Sequence, residues 1–252
     1  MTTPLQHAVR FCDDLTRQKD ISDFKGAENG LQIENSGKIT KIGASVDAGL
    51  EPFTRAVQAG VDFLIVHHGL FWMPQVPFTD SIYKKIKTAF DGDLAVYSCH
   101  LPLDAHPKIG NNALLAQKLG LEVKKTFLNF EGNDIGLICD FDTSRDDLSS
   151  RLTQLFPDTY NSLSFGSEKP KKIAILTGSG SSAIDHLSTE GVDTLITGEL
   201  RQHNFNQAQE LGLNIFPCGH YATEVFGVQA LAERLAKKMS LDWEFIDTAC
   251  PL

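Results

Sequence analysis

A pair of adjacent histidines follows a short apolar stretch in the first third of the sequence. His67 and His68 come directly after residues 63–66, which read Phe-Leu-Ile-Val. A run of this kind is typical of a buried strand, and a turn at its end lets two successive side chains face one cavity. Two imidazoles at such a strand end are candidate ligands for a transition metal. A single histidine there would more often be an ordinary core or surface group.

Further side chains able to bind a metal lie in two other segments. Asp104 follows another predicted strand, in a stretch whose prolines are typical of a loop. His220 and Glu224 are four residues apart at a predicted strand-to-helix junction, and this spacing puts both side chains on one face of a helix. For Glu224 alone, the first turn of a helix is an equally ordinary place, because a carboxylate is favourable near the positive end of the helix dipole.

Taken together, these side chains favour a site with two metal ions. The candidate ligands are His67, His68, Asp104, His220 and Glu224. Three imidazoles and two carboxylates suit Zn, Fe, Mn, Co or Ni, and five ligands are too many for one tetrahedral ion with an open position. Two ions that share a bridging carboxylate fit better, and water held between them becomes a strong nucleophile, which predicts a hydrolase. The alternative is that these residues stand at such positions by chance, since the chain has eight histidines.

The elements that carry these residues alternate between strands and helices, which is the signature of an α/β fold. The patterns predict strands at 39–46, 62–66, 94–97, 134–139, 171–176, 194–197, 213–217 and 243–246, and helices at 51–59, 112–119, 145–156 and through 225–239. His67, Asp104 and His220 therefore come after predicted strands, where open α/β sheets place their ligands.

Two stretches of the sequence resemble each other. Residues 60–65 (GVDFLI) match 191–196 (GVDTLI), and 94–99 echo 213–218. The match indicates an internal duplication of a strand-helix-strand-helix-strand unit, although convergent α/β patterning could also produce it. We therefore predict two similar α/β lobes, at 1–125 and 126–252, between which the N-terminal helix or the final strand could cross.

The composition disfavours several classes of protein. A net charge of −9 disfavours broad nucleic-acid binding, because an acidic surface repels phosphate backbones. The five cysteines are scattered without a CxxC pair, so neither a zinc ribbon nor a disulfide framework is indicated. The apolar runs are far shorter than the roughly 20 residues that span a bilayer. We expect a cytoplasmic protein with a small-molecule substrate, no membrane partner and no strong nucleic-acid signal.

Five short motifs, taken in their order along the chain, resemble the NIF-three-like (YbgI-type) family of dinuclear-metal proteins. The motifs are HHGLFW at 67–72, SCHLPLDAH at 98–106, GNN at 110–112, TGE at 197–199 and GHYATE at 219–224. Members of the family are often named GTP cyclohydrolase type-two homologues. The resemblance covers essentially the whole chain, and the ordered set is far more specific than any single motif.

The resemblance implies two α/β lobes packed around a central cleft that holds two divalent ions per chain. It implies that the five residues named above are the ligands, with Glu224 as the bridge, and His100 and Glu199 become candidates for proton transfer or for support of the ligands. It also implies a ring-shaped homohexamer and a cyclohydrolase-like reaction on a nucleotide or a related ring compound. The alternative is a non-enzymatic role in metal storage or delivery, or as a metal-stabilised scaffold.

Overall fold

The computed structural model describes residues 3–72, 74 and 76–252. The elements, in chain order, are α1 (Pro4–Thr16), β1 (Gly30–Ile33), β2 (Lys41–Asp47), α2 (Leu50–Gln58), β3 (Phe63–His68), α3 (Asp80–Asp91), β4 (Ala95–Ser98), α4 (Leu101–Asp104), α5 (Asn111–Lys118), β5 (Glu122–Phe130), β6 (Asn133–Asp140), α6 (Arg145–Leu155), β7 (Leu163–Ser164), β8 (Lys172–Ser179), a 3-10 helix (Ser181–Ala183), α7 (Ile184–Leu187), β9 (Thr194–Glu199), α8 (Asn204–Leu211), β10 (Asn214–Pro217), α9 (His220–Met239) and β11 (Asp242–Phe245). The predicted α/β class is confirmed. Among the helices of the described residues, none is both long and apolar enough to cross a membrane.

The first sheet is covered on both faces, which explains the apolar run before the histidine pair. Its strand order is β1-β4-β3-β2-β11, and only β1 runs antiparallel to its neighbour. Phe63 and Ile65 of β3 pack into an apolar cluster with α1 and the later turns of α9, whereas Leu64 and Val66 pack with α2 and α3 on the other side. A strand buried on both faces needs apolar side chains at every position, so its sequence is continuous rather than alternating.

The second sheet has six strands, in the order β5-β6-β8-β9-β10-β7. Strands β8, β9 and β10 are parallel, β6 and β7 flank them antiparallel, and β5 pairs antiparallel with β6 at the edge. Helices α5 and α6 pack on this sheet through Leu115, Leu148 and Leu152, which share a cluster with Ile173 and Ile175 of β8.

The two sheets have the same arrangement around their parallel strands. In the first, β2, β3 and β4 are parallel neighbours and the antiparallel β1 lies beyond β4; in the second, β8, β9 and β10 are parallel neighbours and the antiparallel β7 lies beyond β10. The matched sequences fall on β3 and β9, and on β4 and β10, which are equivalent positions in the two sheets. This confirms two similar α/β lobes and supports the predicted duplication.

The compact units of the chain are not contiguous segments. The first comprises Met1–Ile109 and Gly227–Ala249, and the second comprises Gly110–Phe226 and Cys250–Leu252. These bounds differ from 1–125 and 126–252 at two places, and the second is the crossing of the final strand that the sequence analysis allows. Helix α5 belongs to the second unit because Leu115 packs against that sheet. The last strand belongs to the first unit because β11 pairs with β2 there and Leu235 packs in the cluster with α1.

Asn112 connects three elements of the second unit and accounts for one of the sequence motifs. Its side chain is buried at the start of α5, where Oδ1 accepts a hydrogen bond from the Thr177 backbone N–H (2.8 Å) and Nδ2 donates to the Ile135 carbonyl (2.9 Å). The amide therefore links α5 to both β8 and β6.

Asn112→Ala is expected to lower the free energy of unfolding by about 2–3 kcal/mol, because two buried backbone groups lose their partner. Urea denaturation of the metal-free protein measures this change. Asn206→Ala, at an exposed position of α8, is the matched control and should change stability by less than about 0.5 kcal/mol. Equal effects of the two substitutions would contradict the role given to Asn112.

Candidate metal site

Three histidine rings converge at one end of the first sheet. His67 and His68 end β3, and His100 follows the neighbouring parallel strand β4. One ring nitrogen of each residue lies within 4.8 Å of the others. The ring centroid of His67 is 4.9 Å from that of His68 and 4.8 Å from that of His100. Because the carboxyl ends of parallel strands meet at one edge, the sheet itself brings these imidazoles together.

Each of the three rings is held through Nδ1 by an oxygen atom. The pairs are His67 with the Cys99 carbonyl (3.0 Å), His68 with Asp47 Oδ1 (2.8 Å) and His100 with Asp23 Oδ1 (2.8 Å). An oxygen acceptor at Nδ1 fixes the proton on that nitrogen and leaves the lone pair on Nε2. Histidines that bind metals in proteins are commonly oriented in this way. The three rings therefore have the tautomer that a cation needs.

Asp104 lies next to the most buried of these rings. Its Oδ2 is 3.3 Å from Nε2 of His67, whose side chain is fully buried. When the proton of His67 is on Nδ1, this arrangement brings a nitrogen lone pair close to a carboxylate oxygen. The two repel each other unless a proton or a metal cation lies near both. Imidazole nitrogen and carboxylate oxygen together are a donor set that fits a divalent transition metal.

A second group of ionisable side chains lies in the second unit. His220 begins α9, and Glu224 follows one helical turn later with Oε2 3.2 Å from Nε2 of His220. The other ring nitrogen, Nδ1, is 3.1 Å from Oε1 of Glu199 at the end of β9. Burial disfavours the charge on His220, but the carboxylates of Glu224 and Glu199 outweigh it and raise the pKa of His220 to about 9. A cation is therefore stabilised at this position, whether it is a proton or a metal ion.

Two glycines make room for this group. Gly178 in β8 has a φ of +67°, and a Cβ there would meet the Glu224 carboxylate. A Cβ on Gly198 would lie 2.6 Å from the Gly178 carbonyl oxygen and 2.8 Å from Cα of His220. Side chains at these positions would push the first turn of α9 away from the sheet. The glycine of the 197–199 motif is thus explained by close packing.

Sequence reasoning missed two carboxylates that orient the histidines. Asp47 is the last residue of β2 and is paired in register with His68, so its position at a strand end was a usable signal. Asp23 comes from the segment between α1 and β1, where no pattern marks it. Burial works against its charge, but hydrogen bonds from His100, Asn29 and the Phe24 backbone hold the pKa of Asp23 below its usual value. It also accepts from the Leu101 N–H.

The structure groups the predicted site residues within each unit. In the first, His67, His68 and Asp104 lie with His100; in the second, His220 and Glu224 lie with Glu199. The chain thus contains candidate metal-binding groups of the predicted residue types. The complete set of five ligands, the number of ions and the roles of His100 and Glu199 stay predictions.

Over nearly its whole length, the chain is similar to known proteins. The family model described as Duf34/NIF3 (NGG1p interacting factor 3) matches residues 5–251. A Deinococcus radiodurans protein named GTP cyclohydrolase 1 type 2 homolog is 38% identical over 221 residues, which are 87% of this chain and 84% of that protein. The crystal structure of TTHA1606 from Thermus thermophilus is 35% identical, with a TM-score of 0.87 and 98% of each chain covered. The structure of protein ybgI, described as of unknown function, is 33% identical, with a TM-score of 0.91 over 100% of both chains.

Proposed function

Because the chain belongs to the Duf34/NIF3 family, we propose that it is a divalent-metal-dependent hydrolase of a small molecule. The observation that carries the proposal is the pair of imidazoles of His67 and His68, each held at Nδ1 by an oxygen atom, with the ring of His100 close to both. Relatives named GTP cyclohydrolase 1 type 2 homolog favour a nucleotide or a related ring compound as the substrate.

We further propose two divalent ions per chain, of Zn, Fe, Mn, Co or Ni. The proposed ligands are His67, His68, Asp104, His220 and Glu224. Their nitrogen and carboxylate donors, with no thiolate among them, support this choice of metals. Divalent ions bound there supply Lewis acidity and activate water for attack at neutral pH.

His100 is the proposed proton carrier. Asp23 holds its Nδ1 at 2.8 Å, so Nε2 can take a proton from water or give one to a leaving group. The buried Asp23 carboxylate stabilises the imidazolium that forms when Nε2 is protonated. Glu199 acts on His220 in the same way that Asp47 acts on His68, because its carboxylate lies at Nδ1 and orients the ring.

Elemental analysis of the purified protein tests the metal proposal. We expect divalent transition metal in the isolated protein, or its uptake on reconstitution after chelation. His67→Ala should reduce the bound metal, because it removes a fully buried ligand. His186→Ala changes an exposed histidine of α7 and should leave the metal content unchanged. Absence of metal from the native protein, with no uptake on reconstitution, would refute the proposal.

Turnover separates a hydrolase from a storage protein. Metal-loaded protein should hydrolyse at least one member of a panel of nucleotides and related heterocycles. His100→Gln should keep the metal but lower kcat by about 100-fold or more, since it removes the proton carrier. Reversible metal binding without any turnover would instead support the storage or scaffold function.

We also propose that the chain assembles into a homohexamer. The support is the family resemblance, which covers essentially the whole chain. Light scattering at micromolar concentration gives the mass of the particle directly. A monomer that still holds its metal would rule the hexamer out.

A further inference from the structure

A cavity of about 460 Å³ lies in the first unit beside the histidine rings. Its wall is mostly apolar and includes Leu70, Phe71, Trp72, Ile82 and Ile86. This volume is within the range of about 300–1,000 Å³ that is usual for sites binding small molecules. The lining therefore offers room and apolar surface for one ligand of modest size.

Trp72 is shared between this cavity and the histidine group. Its ring centroid is 5.2 Å from that of His100, at an interplanar angle of 82°, and 6.1 Å from that of His68. The indole N–H donates to the Gly69 carbonyl at 3.0 Å, which fixes the orientation of the ring. Trp72 thus forms part of the cavity wall and also packs against the imidazoles of His68 and His100.

Lys85 supplies the positive charge of the lining. Its ammonium is half-buried and donates to the Ala48 carbonyl at 2.9 Å, and it has no ion-pair partner among the residues that the structure describes. An ammonium in an apolar wall has lost part of its hydration, so an anion placed beside it is strongly favoured. Glu28 also lines the cavity, but it is exposed and its charge is screened by water.

We propose that this cavity binds a planar aromatic ring that carries an anionic group, either a carboxylate or a phosphate. The ring packs against Trp72 and Phe71, and the anion pairs with Lys85. The assignment rests on the proposed function in one respect, that the ligand is the substrate or product of the neighbouring site. The recognition itself needs only residues of the first unit.

Fluorescence of Trp72 tests the proposal in metal-free protein. Trp72 and Trp243 are the two tryptophans of the chain, so Trp243→Phe leaves Trp72 as the single reporter. The probes are benzoate and phenyl phosphate, with benzamide as the neutral ring and inorganic phosphate as the anion without a ring. We expect saturable quenching by at least one of the charged rings, at least about tenfold tighter than by either control compound. The charged ring that binds more tightly shows whether the anionic group of the ligand is a carboxylate or a phosphate.

Substitutions at Lys85 assign the anion site. Lys85→Met should remove the preference for the charged rings, Lys85→Arg should keep it, and Lys84→Met, at an exposed position of the same helix, should leave it unchanged. The proposal is overturned if no probe gives saturable quenching, or if quenching appears only after metal is added. It is also overturned if benzamide binds as tightly as the charged rings, or if Lys85→Met has no effect on their binding. Metal uptake on reconstitution of the same preparations separates the two hypotheses, because the cavity can fail to bind a ring in protein that takes up metal normally, and the reverse.

Discussion

Glu224→Gln is expected to lower the bound metal from about two equivalents per chain to less than one. The resemblance implies that this carboxylate bridges two ions, and in the structure it is buried, with Oε2 3.2 Å from Nε2 of His220. A neutral amide has nearly the same shape but supplies no charge between two adjacent cations. Metal titration followed by elemental analysis gives the stoichiometry.

Asp104→Ala is the matched comparison, because a carboxylate that does not bridge is a ligand of one ion only. This variant should retain about one equivalent of metal. The fold should survive both changes, since neither side chain belongs to an apolar cluster, and circular dichroism of the metal-free proteins checks this. If Glu224→Gln binds both ions with unchanged affinity, Glu224 is only a carboxylate in the first turn of a helix.

Gly198→Ala is expected to lower the free energy of unfolding by about 1–3 kcal/mol and to weaken metal binding as well. The added Cβ would lie 2.6 Å from the Gly178 carbonyl oxygen and 2.7 Å from Oγ1 of Thr223. The Cβ would also lie 2.8 Å from Cα of His220, and because His220 and Thr223 both belong to the first turn of α9, this part of the strain is relieved by moving the start of α9 and His220 with it. Chemical denaturation and metal titration report the two effects separately.

Gly191→Ala is the control for stability loss alone. Gly191 has a φ of +65°, which costs an alanine about 1 kcal/mol, but nothing lies within 4 Å of the position of its Cβ. This variant should lose stability and keep full metal affinity. If Gly198→Ala also keeps full affinity, the position of His220 does not depend on the packing at Gly198.

Much of the framework could be predicted because buried parallel strands leave a strong pattern. Strand β3 was predicted from a continuous apolar run, and the histidines at its end followed from the rule that ligands gather at carboxyl ends. The long helix α9 carries apolar side chains at helical spacing, so its later turns were also predicted. In each case many side chains bury the same face, and the periodicity is correspondingly clear.

Elements with few buried side chains were missed. Strand β5 pairs on one side only, with β6, and its first five residues are exposed, so no alternation marks it. Helix α3 is similar, since Ala89 is its only fully buried residue in the part of the chain that the structure describes. Asp23 escaped notice for another reason: its role depends on contacts with residues more than 70 positions away. Long-range partners of loop residues leave no local signal.

Because the two sheets have equivalent strand orders, each parallel strand end occurs twice in the chain, once in each sheet. At the end of β3 the sequence has His67 and His68, whereas the matched end of β9 has Gly198 and Glu199. Equivalent positions of the two sheets thus carry an imidazole in one unit and a carboxylate in the other. A symmetric pair of identical chains would have to change both copies together. Within one polypeptide each strand end mutates alone, so each unit can acquire its own kind of donor one substitution at a time.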